Sequence, residues 1–267
     1  MDQEVQRIIR SSVLNIIDSS VSESNILNKF RLHREKVHFV PMQYRVLGGI
    51  LQSLNIKFGN FIEHMMQSIM EIDKNISLMP DSGKRVRLYM TPETDSLIDS
   101  YITSRQLPDS SDDCEPEFNS LLNQIWDIEK SSPQDKKQGI IKDIDALFKT
   151  KFDQLVFVEL KYNDDHDTGK FVDINRKFIK TWAGLINILD IQNRHELQLI
   201  LYYLNPTKRY GPIYTPSSNI MRGTQLFDAY FETSFQDVDH YLHALGEDPE
   251  IMERFDSLYK RVRYGAA

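Results

Sequence analysis

The chain reads as an α/β protein, a mixed sheet of four or five strands covered by helices, with further helices toward both ends. Three observations predict this. Residues 155–161, Leu-Val-Phe-Val-Glu-Leu-Lys, are apolar and β-branched, and a polar connection at 149–154 separates them from a second short apolar run at 144–148, so the two pair as a hairpin. Residues 196–205, Glu-Leu-Gln-Leu-Ile-Leu-Tyr-Tyr-Leu-Asn, form a nearly continuous apolar run that suits a central strand covered on both faces. Apolar residues recur at helical spacing through 2–30, 46–70, 173–191 and from Thr224 onward.

Composition narrows the class. Apolar content of 40% and charged content of 27% over 267 residues fit a soluble globular protein with ample length for a core. No stretch approaches the ~20 apolar residues of a membrane span. Met1-Asp2-Gln3-Glu4 lacks a signal-peptide pattern. Cys114 is the one cysteine, which excludes internal disulfides and cysteine-rich zinc sites and predicts a reducing, cytoplasmic setting. A net charge of −7 argues against a non-specific nucleic-acid coat, though basic residues need line only one cleft of a DNA enzyme.

Taken in order, Val5, Ile8, Ile9, Val13, Ile16 and Ile17 lie at helical spacing; Ser19, Ser20 and Ser22 interrupt them and Ser24 caps a second segment, the whole serving as scaffold or subunit interface. His33 and His38 flank a charged connection and do not make a metal site. Gly48-Gly49 and Gly59-Asn60 are expected to divide 46–70 into two helices, the second carrying Glu63 opposite an apolar side of Phe61, Met65, Ile69 and Ile72. Thr91 caps a helix with Pro92 in its first turn. Residues 107–116 are an acidic, Pro/Ser-rich loop, a helix covers 117–129, and 131–138 breaks the pattern before the hairpin. After Lys161, Asp164, Asp165, His166 and Asp167 read as a loop near the site entrance rather than as a second metal site. Within 173–191, Ile174, Phe178, Trp182 and Leu185 face the sheet while Arg176, Lys177 and Lys180 face phosphate. The aromatic face of Leu226, Phe227, Tyr230, Phe231 and Phe235 and helices over 237–245 and 249–264 complete the chain; His240 and His243 lack a third ligand.

The chemistry gathers at the hairpin. Period two puts Glu159 and Lys161 on one face of a strand with Leu160 on the other, and pairing brings Asp145 beside them. Two carboxylates, with the Leu160 carbonyl as a third oxygen, suit Mg²⁺. A bound divalent ion lowers the pKa of water and neutralises phosphoryl charge, and Lys161 can position that water or stabilise developing negative charge. Phosphodiester hydrolysis is the reaction this set serves. Its bland counterpart is an exposed ion pair at a strand end.

Asp145 followed by Glu159-Leu160-Lys161 on an apolar strand resembles the core of the PD-(D/E)xK nuclease superfamily. With the polar run 162–178 it is similar to type II restriction endonucleases of the HinfI-like group, over roughly residues 58–231. Ile144 stands where the motif has proline, which makes Asp143 a rival for the first metal carboxylate. The resemblance implies a restriction-endonuclease-like core, Asp145 and Glu159 on Mg²⁺, Lys161 at the attacking water, and Glu63 as an additional carboxylate. It implies cleavage of double-stranded DNA at a short palindromic or interrupted palindromic site of the GANTC kind, a homodimer that matches the symmetry of that site, and a cognate DNA methyltransferase as system partner. One nuclease domain is expected over 1–267, with a mainly helical part at 1–110, the catalytic core and recognition loop at 111–235, and C-terminal helices at 236–267.

DNA contacts are expected from Lys170, Arg176 and Lys177 to phosphate, and from Lys208, Arg209, Asn219 and Arg222 in the proline-stiffened loop 206–223, whose side chains suit base edges. Two other readings stay open on the residues alone: a repair or recombination nuclease of the same superfamily, and a non-catalytic DNA- or partner-binding protein.

Overall fold

A computed structural model describes residues 3–107, 114–162, 168–206 and 213–264. In chain order its elements are α1 (Gln3–Val21), α2 (Glu23–Arg34), α3 (Met42–Ile72), β1 (Ile76–Leu78), β2 (Lys84–Met90), α4 (Pro92–Ser104), α5 (Glu115–Ser131), β3 (Gln138–Ile144), β4 (Ala146–Thr150), β5 (Leu155–Lys161), α6 (Thr168–Leu185), β6 (Leu197–Tyr203), β7 (Ile220–Arg222), α7 (Thr224–Tyr230), α8 (Phe235–Gly246) and α9 (Pro249–Tyr264). The chain divides into two compact units, Met1–Ser68 with Thr233–Ala267, and Ile69–Glu232.

The first unit is helical. Val5, Ile9, Val13 and Ile17 recur every fourth residue and form the buried stripe of α1. Arg10 reaches Asp248 at 3.1 Å and Glu250 at 2.7 Å, and Arg254 pairs with Asp18, which clamps α1 to α9. Ser22, not Ser24, stands at the start of α2, and its side chain makes no capping bond. The expected break in 46–70 does not occur: α3 is one helix of 31 residues. Each glycine inside a helix costs about 1 kcal/mol. Val46, Ile50, Leu54, Phe61, Ile62, Met65 and Met66 are all buried along α3, and that burial outweighs the local preference.

The second unit is the α/β core. Its main sheet has five strands in the order β1-β4-β5-β6-β7. β1, β4 and β5 are antiparallel neighbours, while β6 and β7 run parallel to β5, so the sheet is mixed as the sequence predicts. The hairpin closes through Thr150 N–H to the Gln154 carbonyl at 2.9 Å, with Asp153 at φ 61°. Asp is among the few non-glycine residues that tolerate this left-handed conformation. Helix α6 then crosses from β5 to the parallel β6.

Alternation along β5 divides the core. Leu155 and Phe157 join Leu147, Leu197, Leu199, Leu201 and residues of α4, α5 and α6 in one apolar cluster. Phe157 stacks on Phe178 of α6 with centroids 5.9 Å apart. On the opposite face Phe148 meets Tyr230 and Phe231 at 5.5 and 5.9 Å, and Tyr202 meets Phe227 at 6.5 Å. Residues 84–90, a strand the sequence reading does not predict, form β2, paired antiparallel with β3 in a separate two-stranded sheet. Strand β4 starts at Ala146 rather than Ile144, because the chain bends at Asp145 as it passes from one sheet to the other. Helix α6 stops at Leu185, short of residue 191: Asn187 and Ile188 close tight turns onto the Gly184 and Leu185 carbonyls.

Candidate active site

The hairpin register sets the geometry. Ala146 lies opposite Val158, which carries Asp145 to the level of Glu159 at the end of β5. Asp145 therefore sits at the bend between two sheets, while Glu159 and Lys161 project from β5 on the face that α6 covers. Both carboxylates are buried, Asp145 to 4% exposure and Glu159 to 0%. Asp143, the rival, points away from this site on the exposed face of β3, with Arg85 at 3.9 Å.

Two carboxylates and two ammonium groups are in contact here. Lys161 Nζ lies 3.1 Å from Asp145 Oδ2 and 2.8 Å from Glu159 Oε1, and donates to the Leu160 carbonyl at 2.6 Å. The Leu160 amide donates to Asp145 Oδ2 at 2.9 Å. Lys177, from α6, lies 3.1 Å from Asp145 Oδ1 and 2.7 Å from Glu159 Oε1. Two buried carboxylates are thus matched by two ammonium groups, which is what allows the charges to remain in a dry setting. Burial pushes the Asp145 carboxyl up, but Lys161, Lys177 and the Leu160 amide outweigh it and hold the group below its ordinary value. For Glu159, burial and then the neighbouring Asp145 charge prevail over the two lysines, and its pKa is raised.

The donor set fits a divalent cation. Glu159 Oε2 is buried and has no hydrogen-bond partner among the described residues. The Lys177 ammonium stands in for a cation between the two carboxylates. Among the described residues no group of three or more His, Cys, Asp or Glu side chains forms a metal site. Mg²⁺ is commonly held by one or two carboxylates, with water and phosphate completing its octahedron.

The remaining candidates scatter. Glu63 lies half-buried on α3 in the first unit. Lys170 is exposed in the first turn of α6. Arg176 bonds Asp99 at 2.9 Å and Asp173 at 2.8 Å. Asn219 donates to the Leu199 carbonyl at 2.8 Å and so ties its turn to β6. The Arg222 guanidinium packs over Tyr203 at 4.5 Å. Register puts Lys161 beside Tyr203 and Tyr203 beside Arg222, so these three side chains form a row across one end of the sheet. Lys208, Arg209 and the acidic run Asp164, Asp165, His166 and Asp167 lie outside the described residues.

Two lysines near the site escaped the sequence reading in different ways. Lys177 was assigned to phosphate, yet it is on the Ile174–Thr181 side of α6, three residues after one buried position and four before another. Lys142, on β3, shares its face with Ile140 and the buried Ile144, and is half-buried. Burial lowers its pKa, and nearby Lys180 and Lys177 lower it further. Strand alternation was the signal for Lys142, but β3 itself was not recognised.

A family model described as "Type II restriction endonuclease, HinfI" matches residues 1–246. A relative, "Type II restriction enzyme HinfI" of Haemophilus influenzae, is 40% identical over 266 residues, 98% of this chain and 98% of the relative. No solved structure matches the chain. Among the described residues no helix is long and apolar enough to cross a membrane. With a mixed sheet that presents Asp145, Glu159 and Lys161 at one end and a family match over nearly its whole length, the chain belongs to the HinfI family of type II restriction endonucleases, which cleave double-stranded DNA at specific sites.

Proposed function

We propose that this endonuclease hydrolyses both strands of a short palindromic or interrupted palindromic site by Mg²⁺-dependent water attack, with its chemistry at Asp145, Glu159 and Lys161. One observation carries the assignment: a buried cluster of two carboxylates and two ammonium groups at the end of β5, closed by Lys161 at 2.8 Å from Glu159 and 3.1 Å from Asp145. Asp145 and Glu159 would hold the ion, together with the Leu160 carbonyl. When bound, the ion supplies a more acidic water and screens the phosphoryl charge. Lys161 lies next to these oxygens, held by a backbone carbonyl, and directs an N–H toward the attacking water or the developing charge on phosphorus. Water oxygen bonds to phosphorus as it gives up a proton to solvent, the bond to the leaving oxygen breaks, and that oxygen takes a proton from solvent.

Lys170, Arg222 and the 206–223 segment, which includes Lys208, Arg209 and Asn219, supply the DNA contacts, with Arg176 reaching phosphate after exchange from Asp99. Glu63 is the additional carboxylate to be tested by substitution. A homodimer would present two such sites to a symmetric sequence, and fully exposed Val37 and Phe39 offer apolar surface for protein contact. The enzyme works in the cytoplasm beside a methyltransferase that protects host sites.

The test is digestion of unmethylated phage DNA with and without Mg²⁺, by wild type, Asp145→Asn and Lys161→Met. A discrete fragment ladder that needs Mg²⁺ and is lost in both variants supports the assignment, and fragment ends give the recognised sequence. A ladder that survives both substitutions places the chemistry elsewhere.

A further inference from the structure

Lys177 is positioned unlike the other cations of α6. Arg176 reaches Asp99 and Asp173, and Lys180 reaches Asp95 at 2.7 Å and Asp99 at 3.1 Å, all carboxylates outside the β5 cluster. Of these three, Lys177 turns inward and bonds one oxygen of Asp145 and one of Glu159. Its ammonium has no other partner among the described residues. Lys161 differs: it also donates to the Leu160 carbonyl, an anchor independent of the carboxylates.

We propose that Lys177 is a built-in counter-cation that occupies the seat between Asp145 and Glu159 before metal binds, and that a divalent ion enters by displacing it. The inference rests on the reading that these two carboxylates hold the metal. A carboxylate oxygen at 2.7 Å from an ammonium nitrogen cannot also direct that lone pair to an ion. The incoming ion and the ammonium would repel each other across a few ångströms of poorly solvated space. The helix supplies an exit: the Lys177 side chain remains 28% exposed, enough to swing its four-carbon stem toward solvent or DNA phosphate without unpacking α6. Lys177 therefore stabilises the metal-free fold and sets the ion concentration at which the site loads. It is a positioning residue for the two carboxylates.

The test is Mn²⁺ binding by DNA-free full-length protein, followed by titration calorimetry, for wild type, Lys177→Met and Asp145→Asn. Lys177→Met is expected to bind Mn²⁺ at least about tenfold more tightly than wild type, because one of the two competing ammonium charges is gone and only Lys161, anchored on the Leu160 carbonyl, is left. It should also melt lower than wild type without metal and gain more in melting temperature when Mn²⁺ is added. If Lys177→Met does not fold, Lys177→Gln replaces it. A measurement on the unaltered protein runs in parallel: brief amine acetylation read by peptide mass spectrometry, in which Lys177 becomes several-fold more reactive as Mn²⁺ saturates. Equal or weaker Mn²⁺ binding by Lys177→Met, or Lys177 acetylation unmoved by Mn²⁺, overturns the proposal while loss of binding in Asp145→Asn leaves the metal assignment intact. Binding that Asp145→Asn does not weaken removes the metal assignment itself, and the Lys177 proposal with it. No binding by either wild type or Lys177→Met also overturns the role of Lys177, since vacating the seat would then not have opened it.

Discussion

Asp145 shows how much a single side chain carries at this site. It accepts from the Leu160 amide and from two ammonium groups while nearly fully buried. Asp145→Ala takes one carboxylate away from Lys161 and Lys177, and removing one partner of a buried ionic group costs about 3–5 kcal/mol. Asp145→Asn keeps an acceptor for the Leu160 amide and is expected to lose less; denaturant midpoints of the two variants check the order. Lys161→Met is expected to lower cleavage on the order of 10²–10³-fold if it stabilises transition-state charge, with duplex binding retained. Single-turnover cleavage against a binding titration separates the two effects. The Glu159/Lys161 pair was legible because strand alternation alone places both on one face. The inward turn of Lys177 was not, because a lysine on the edge of a helix stripe faces either way until a carboxylate appears across the gap, and that carboxylate comes from another element.

Helix α6 and the strands it covers are fixed by contacts a sequence shows only in part. A Cβ added at Gly184 would lie 2.6 Å from Leu88 Cβ and 2.9 Å from Leu88 Cδ1, both on a buried residue of β2. Gly184→Ala should therefore force helix and strand apart, at about 1–3 kcal/mol, seen as a lower melting temperature. Helix α4 is tied to α6 by Asp99, whose pKa is set by burial pushing up and by Lys180 and Arg176 pulling down, the net direction being down. A depressed carboxyl contributes stability above its ordinary value and loses it as pH falls through the folded-state value. Asp99→Asn should thus be less stable than wild type at neutral pH, by at most about 1 kcal/mol for a side chain this exposed, with the difference vanishing in acid. Thermal melts of both proteins from neutral to acidic pH test the sign. The hairpin, β6 and the Thr91 cap were legible because each is a local pattern: Thr91 does accept from the Thr94 amide, at 3.1 Å. The glycine pairs of α3 misled because helix propensity is weak beside a long buried face. β2 was missed because its first half, Lys84, Arg85 and Arg87, is exposed and charged, which hides the strand alternation.

The molecule as a whole is acidic, at −7, yet it acts on a polyanion. Its positive charge has to be local, and in α6 much of it is engaged by carboxylates that DNA phosphate must outcompete. Association should therefore depend on salt less steeply than for a basic DNA-coating protein. A plot of log affinity against log salt for a site-bearing duplex, taken by fluorescence anisotropy, is expected to slope less steeply than about −6, corresponding to fewer than about seven phosphates neutralised. A steeper line would mean that a larger basic surface engages the duplex. The division into a helical unit and an α/β unit was only partly visible in the sequence. Helices at both ends of the chain were expected, but residues 233–267 group with the N-terminal helices because of tertiary contacts, which no linear pattern displays.

The hairpin that joins β4 to β5 also works as a length gauge. Asp145 reaches Glu159 only because Ala146 pairs with Val158, and side chains on paired strands change face with every single-residue slip. One residue inserted in β4 would carry Asp145 to the wrong side of the sheet or out of reach. One inserted at the turn near Asp153 has solvent to expand into. Spontaneous insertions and deletions should accordingly fall into two classes separated by a few positions, those that the turn absorbs silently and those that leave a folded protein with no cut DNA. A restriction enzyme that fails in this second way is harmless to its host, so the same ruler that assembles the active site also makes this class of frame-preserving lesion fail safe.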